Sequence, residues 1–292
     1  MKKLSIIRKN RNEIIIDSKK YLIGKKQVKY QLLQDLKLFF SKEKSEYRKE
    51  NNEEITVLVN EKPVDFRRSR FFYVDDQYSI IEDCKMSSKS LIEKYFEIKY
   101  SQIDYFETIN TLNILLESLE EELNWEENLK IKLNHFSAKQ LLKISKPEMI
   151  EEFQKDEYDL TQEEIILFQL KLIEYIQNHN LEFENTIVYV CVSQITNNIF
   201  EELDRLQHCM VLIDTPFYDD KISLDEIYLC ESQTLDLNNE EMIYYLLSQK
   251  LDNIYSLDEV KKMLIKYLLS AYRCKNNDLL NDIKKFSTKN LK

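Results

Sequence analysis

Thr186-Ile187-Val188-Tyr189-Val190-Cys191-Val192 decides the fold class. The run is β-branched and aromatic with no charged residue, so it reads as a strand buried on both faces. A helical pattern follows from Asn197 to Gln207, and a second buried strand, Met210-Val211-Leu212-Ile213, ends at Asp214. Strand, helix and strand make a βαβ unit, which implies parallel strands joined by a right-handed crossover. Ile227-Tyr228-Leu229 is a candidate closing strand.

Working upstream, the pattern is helical for nearly a hundred residues from Ser87, with Ile109, Leu112, Leu116, Leu119 and Leu123 at three- and four-residue steps. Ser137 to Leu141 begins a short helix, Pro147 breaks the pattern, and Thr161-x-x-Glu164 is a capping box leading into a helix from Ile165. Before this segment the signals are again strands: Leu4 to Ile7, Glu13 to Ile16, Lys20 to Ile23 ending at Gly24, then Ile55 to Val59 and Arg70 to Val74. Gln27 to Phe40 is a helix with Val28, Leu32, Leu33, Leu36 and Phe39-Phe40 on its apolar stripe. The expected organisation is an α/β domain formed by residues 1–86 and 181–235 whose sheet resumes at Ile55 and continues after an inserted helical domain at 87–180. A C-terminal helical extension occupies 236–292.

One glycine in 292 residues excludes several functions. Phosphate-loop and dinucleotide enzymes need glycines so that backbone N–H groups can wrap a phosphate. Gly24-Lys25-Lys26-Gln27 lies between a strand and a helix, and a later strand ends in Asp214, so the order of parts resembles a phosphate-loop fold without its loop. Gln27 stands where the magnesium-binding hydroxyl belongs; Asp214 could hold magnesium or end a turn. No nucleotide cofactor is expected. His135, His179 and His208 have no metal-ligand spacing, Ser193 lacks the glycines of a nucleophile elbow, and the five cysteines are scattered singly, as reduced and mostly buried thiols. The chain reads as not an enzyme. It has no apolar run long enough to span a bilayer and no long apolar stretch at its start, so the expectation is a cytoplasmic protein without a membrane partner.

The net charge of −10 is unevenly distributed. Residues 1–30 carry ten Lys and Arg against Glu13 and Asp17; residues 261–292 carry nine against Asp278 and Asp282. Between these basic ends lies an acidic body. The cations suited to phosphate are Lys19, Lys20, Lys25, Lys26 and Lys29, then Arg67, Arg68 and Arg70, then Lys261, Lys262 and Lys266, provided they share a surface; otherwise they are solvated faces. Glu117, Glu120, Glu121, Glu122, Glu126 and Glu127 crowd carboxylates around Asn124 and Trp125. Such a cluster is either a solvated helix end or a site for a hard cation such as calcium.

Together these stretches resemble the type II-A CRISPR-associated accessory protein of spacer acquisition, in its longer subgroup. Gly24-Lys25-x-x-Val28-Lys29-Tyr30 is similar to that subgroup's first helix, and Glu117-x-x-Glu120-Glu121-Glu122-Leu123-Asn124-Trp125-Glu126 to the family's calcium-collecting stretch, with Asn124 where relatives often carry Asp. Thr186 to Val192, the helix through Phe200, Leu203 and Leu206, and Val211 to Pro216 are similar to its closing strand, helix and strand. The resemblance spans roughly residues 4–230. It implies an α/β domain with phosphate-loop-ATPase-like topology and no functional loop, in a homotetrameric ring that encircles double-stranded DNA, preferring ends. It also implies structural calcium on the carboxylates, a hole lined by lysines and arginines, and a system shared with an adaptation integrase and an effector nuclease. The alternative is a degenerate ATPase-like regulator or interaction scaffold that does not bind DNA.

Overall fold

The computed structural model describes residues 2–8, 11–16, 19–41, 55–87, 90–124, 130–149, 157–179, 183–216, 222–230 and 256–274, with 237, 241 and 244; the side chains of 11–13 and 267–274 are outside the description. The chain separates into two compact units: 1–76 with 182–292, and 77–181 between them. The second unit thus takes in ten residues ahead of the expected start at 87.

In the first unit the strands sort by their burial pattern into two sheets. β1 (Lys2–Ile7), β2 (Arg11–Ile16), β4 (Thr56–Val59) and β5 (Lys62–Pro63) form an antiparallel sheet in the order β2-β1-β4-β5. β2 is one-faced, with Ile14 and Ile16 buried and Ile15 turned out at 41% exposure, as expected for a sheet with a solvated side. β3 (Lys19–Gly24), β6 (Ser69–Asp75), β7 (Asn185–Cys191), β8 (Cys209–Asp214) and β9 (Ile227–Cys230) form a second sheet, parallel throughout, in the order β6-β7-β8-β3-β9. The protein is therefore a mixed α/β fold with a five-stranded parallel sheet. The strand at Ile55 does not resume that sheet, as its sequence position suggested; it joins the antiparallel one, where Thr56 faces solvent and Val57 the core.

Helix α1 (Lys26–Phe40) sends Leu32, Leu33 and Leu36 into one core shared with Leu4, Ile14 and Val57 of the antiparallel sheet and Leu22, Ile187 and Leu212 of the parallel one. Burying each such side chain contributes about 1.5–3 kcal/mol. Asp35, buried on the same helix, accepts from Arg8 Nη1 at 3.1 Å and Gln31 Nε2 at 2.7 Å, so its charge is paired.

The second unit holds α2 (Ile80–Asp83), α3 (Leu91–Tyr100), α4 (Ile103–Leu123), α5 (Ala138–Ile144) and α6 (Gln162–His179). α3 packs on α5 and α6, and α6 buries Ile166, Leu170, Ile173 and Ile176 at helical spacing. The Thr161 capping box is formed: Thr161 N donates to Glu164 Oε2 at 2.8 Å, and Glu164 N to Thr161 Oγ1 at 3.2 Å. Two carboxylates cap helices from a distance. Glu157 accepts the N–H groups of Ile80 and Ile81, and Asp83 those of Leu91 and Ile92. Helix α7 (Asn197–Arg205) is the crossover between β7 and β8, and α8 (Leu257–Cys274) packs against β3. No helix among the described residues is long and apolar enough to cross a membrane.

Candidate nucleic-acid interface

Ligands of open α/β sheets bind outside the carboxyl ends of the parallel strands. Here that edge is occupied by side chains of the protein itself. Register places Asp75, Cys191 and Asp214 in a row across β6, β7 and β8. Lys29, in the first turns of α1 and only 2% exposed, donates from Nζ to Asp214 Oδ1. Tyr189 Oη lies 3.4 Å from Asp214 Oδ2 and 3.4 Å from the Lys29 carbonyl oxygen, and burial, reinforced by the Asp214 charge, pushes its phenol well above the ordinary range. Farther along the row, Lys37 lies 3.6 Å over the Tyr73 ring, and burial lowers the pKa of its ammonium against the opposing pull of Asp75. The Cys191 thiol is raised by burial and then by Asp214.

Gly24 explains itself in this frame. Its φ is +127°, and a Cβ there would lie 2.5 Å from the Cys230 carbonyl oxygen, to which Lys25 N donates at 2.8 Å. The glycine lets β9 approach β3 closely, a packing role that needs no phosphate. Immediately after it, α1 starts without a side-chain cap and without an acidic residue in its first turn. Lys25, Lys26 and Gln27 are exposed there, and Tyr30 is 61% exposed. Uncapped amide groups at a helix start, flanked by lysines, suit an anion.

The cations read from the sequence divide into three groups. Lys19, Lys20 and Lys29 are interior: Lys19 pairs with Asp204 at 2.6 Å and lies 3.8 Å over Phe200, Lys20 donates to the Asp225 carbonyl, and Lys29 is held by Asp214. The three side chains are 7%, 6% and 2% exposed, so each ammonium is drawn onto a partner within the chain. Arg67, Arg68 and Arg70 stand at the amino end of β6, at the sheet edge opposite Lys25 and Lys26; strands of about six residues separate the edges by roughly 20 Å. Arg68 pairs with Glu184 at 2.7 Å, and Arg70, half-buried, lies 3.7 Å over Phe183. On α8, Lys262 and Lys266 are exposed and Lys261 half-buried, while Val260 and Leu264 face the core. Lys25 and Lys26 thus stand at the opposite edge of the parallel sheet from Arg67, Arg68 and Arg70.

Glu126 and Glu127 lie outside the described residues. Of the other carboxylates expected to take calcium, Glu117 faces His135 Nε2 at 3.2 Å, Glu120 accepts from Leu133 N at 2.9 Å, and Glu121 and Glu122 are exposed on α4. Among the described residues, no three His, Cys, Asp or Glu side chains are arranged to hold a metal ion. Cys84, Cys191, Cys209 and Cys230 are not joined in disulfides.

The Lys29–Asp214 pair escaped the sequence reading, which placed Lys29 among the surface cations. The signal was available: Lys29 precedes Leu32, Leu33 and Leu36 by three, four and seven residues, which puts it on the apolar stripe.

No family model matches the chain, and no curated protein does. Among solved structures it is similar to the crystal structure of Stu0660 of Streptococcus thermophilus, at a TM-score of 0.59 and 18% identity over 86% of this chain and 80% of that one, which is a likeness of fold.

Proposed function

We propose that the chain is a non-catalytic protein that binds double-stranded DNA without sequence specificity, as a ring-forming homotetramer that prefers duplex ends and supports CRISPR spacer acquisition. The observation that carries this reading is the paired state of the sheet's carboxyl edge. The position where a phosphate-loop enzyme holds nucleotide is closed by Lys29, Asp214 and Tyr189, while Lys25 and Lys26 remain exposed at the uncapped start of α1. The placement of β3 inside the parallel sheet beside β8, with α1 leaving its carboxyl end, supports a phosphate-loop-ATPase-like ancestry. The sequence resemblance supplies the DNA and the CRISPR context. Partition of the cations between sheet edges agrees with a DNA path shared among protomers around a hole. Calcium is assigned no step.

Lys25 and Lys26 bind phosphates in this reading, together with the first amide groups of α1. Each phosphate neutralised releases counterions and adds about 0.9 to the slope of log affinity against log salt. Fluorescence anisotropy with a labelled linear duplex, titrated across salt, tests it. Lys25→Ala with Lys26→Ala is expected to weaken binding uniformly across sequences and to reduce the slope by about 2, roughly 1 for each lysine removed. No binding by the wild-type chain at low salt contradicts DNA binding and favours the scaffold reading.

A further inference from the structure

The helical unit holds a groove of about 540 Å³ lined by α2, α3 and α6, a size and apolar character common to small-molecule sites. Ile80 and Ile92 are buried in it, while Phe96 of α3 and Phe168 and Leu172 of α6 are half-buried and keep part of their apolar surface uncovered. Three aromatic rings line the groove. Tyr95 stands edge-on to Phe96 with centroids 5.1 Å apart, and Phe168 lies 6.4 Å from the ring of Tyr78.

Its ionised lining is of one sign. Glu148 and Glu164 line the groove, and among the described residues no Lys, Arg or His does. The helix starts are capped, by Glu157 at α2, Asp83 at α3 and Thr161 at α6, so none is open to an anion. Lys146 pairs with Glu148 at 2.7 Å, but both side chains are exposed, and such a pair is weak. Lys94 and Lys171 stand on α3 and α6 outside the lining. Lys99 donates to Tyr95 Oη at 3.2 Å, and Tyr95 meets Tyr175 with ring centroids 4.7 Å apart. Tyr175 is eleven residues beyond Glu164 on α6, a rise of about 16 Å, so Lys99 marks the opposite end from that carboxylate. The adjoining cavity, which shares Cys84, Pro147 and Met149, differs in character: Lys85, Lys139 and Lys143 line it together with Glu93 and Glu97, giving it no single sign.

From this we infer that the groove binds a small organic cation, an ammonium carried on an apolar or aromatic body. The body covers the apolar surface left open at Phe96, Phe168 and Leu172, which removes it from water. The faces of Tyr95, Phe96 and Phe168 attract a cation through their quadrupoles, and Glu148 and Glu164 supply the counter-charge. Orientation follows from the two ends: the ammonium lies toward Glu164, and the apolar body toward Tyr95 and Leu172, away from which Lys99 would repel it. The inference rests neither on DNA nor on the oligomer.

The test titrates the full chain, at neutral pH and low salt, with phenylbutylamine, phenylbutanol and phenylbutyrate, followed by NMR saturation transfer. The three probes share one apolar body and differ in charge. The amine is expected to bind about tenfold tighter than the alcohol, and the carboxylate weakest of the three. Glu148→Gln with Glu164→Gln preserves the cap at Thr161, because Gln also closes a capping box, and should bring the amine to within about twofold of the alcohol. Leu172→Trp fills the groove and should abolish binding of both while leaving circular dichroism unchanged; the glutamine variant decides the assignment even where the tryptophan disturbs packing. Equal affinity of the wild type for all three probes overturns the choice of a cation. Amine binding that both variants leave intact lies elsewhere on the chain and overturns the groove as its site. No binding of the amine at millimolar concentration overturns the inference outright.

Discussion

Replacing Lys29 by methionine tests the interior reading of the sheet's carboxyl edge. The stem keeps its packing but the ammonium is lost, leaving the Asp214 carboxylate with Tyr189 and no cation. Removing one member of a buried ion pair costs about 3–5 kcal/mol. Lys29 is 2% exposed but the Asp214 side chain 20%, so water reaches the orphaned carboxylate and the lower end applies, about 3 kcal/mol. With a urea slope of about 2 kcal/mol/M the unfolding midpoint should fall by roughly 1.5 M. Adding Asp214→Asn removes the unpaired charge and should recover about 2 kcal/mol of the loss, a coupling that a double-mutant cycle reads directly. A single variant within about 0.5 kcal/mol of wild type, or a double variant no better than the single, refutes the pair as a structural element. The folded Lys29→Met protein should also keep the wild-type salt slope for duplex DNA, in contrast to the Lys25 and Lys26 variants.

Gly24→Ala forces a Cβ to within 2.5 Å of the Cys230 carbonyl at a φ of +127°, and should destabilise by about 3 kcal/mol or more; an unchanged melting temperature contradicts its packing role. The Cys209 thiol is pushed up to about 12 by burial. It should resist a disulfide reagent in the native state at pH 8 and react on unfolding. Because an unfolded thiol ionises near about 8.5, the unfolded state binds fewer protons above that pH and stability falls as pH rises toward 12. The slope approaches about 1.4 kcal/mol per pH unit, and Cys209→Ala removes it. Thr161→Ala opens a capping box of the helical unit and should cost about 1 kcal/mol in equilibrium unfolding.

The parallel strands were legible because residues 186–192 and 210–213 carry no charge, and burial on both faces leaves no other pattern. The helix cap at Thr161 was legible because its bond partners lie three residues apart. The assignment of strands to two sheets was not, since β2 and β3 are sequence neighbours and only long-range pairing separates them. Surface cations were read as one class from their charge, whereas the fold assigns Lys19 to Asp204, Lys20 to the Asp225 carbonyl and Lys29 to Asp214, partners some two hundred residues away. Gly24 was legible as the end of a strand and as grounds to exclude a phosphate loop. Its clash partner on β9 was beyond local reading.

The most direct test compares duplexes of one sequence that differ only in whether they have ends. The wild-type chain, incubated at low salt with linear duplex and with covalently closed circles, should retain the linear form and lose affinity for it steeply as salt rises. It should leave the closed circles unbound, because a preformed ring loads only over an end. Equal retention of both forms contradicts the ring, and retention of neither contradicts DNA binding.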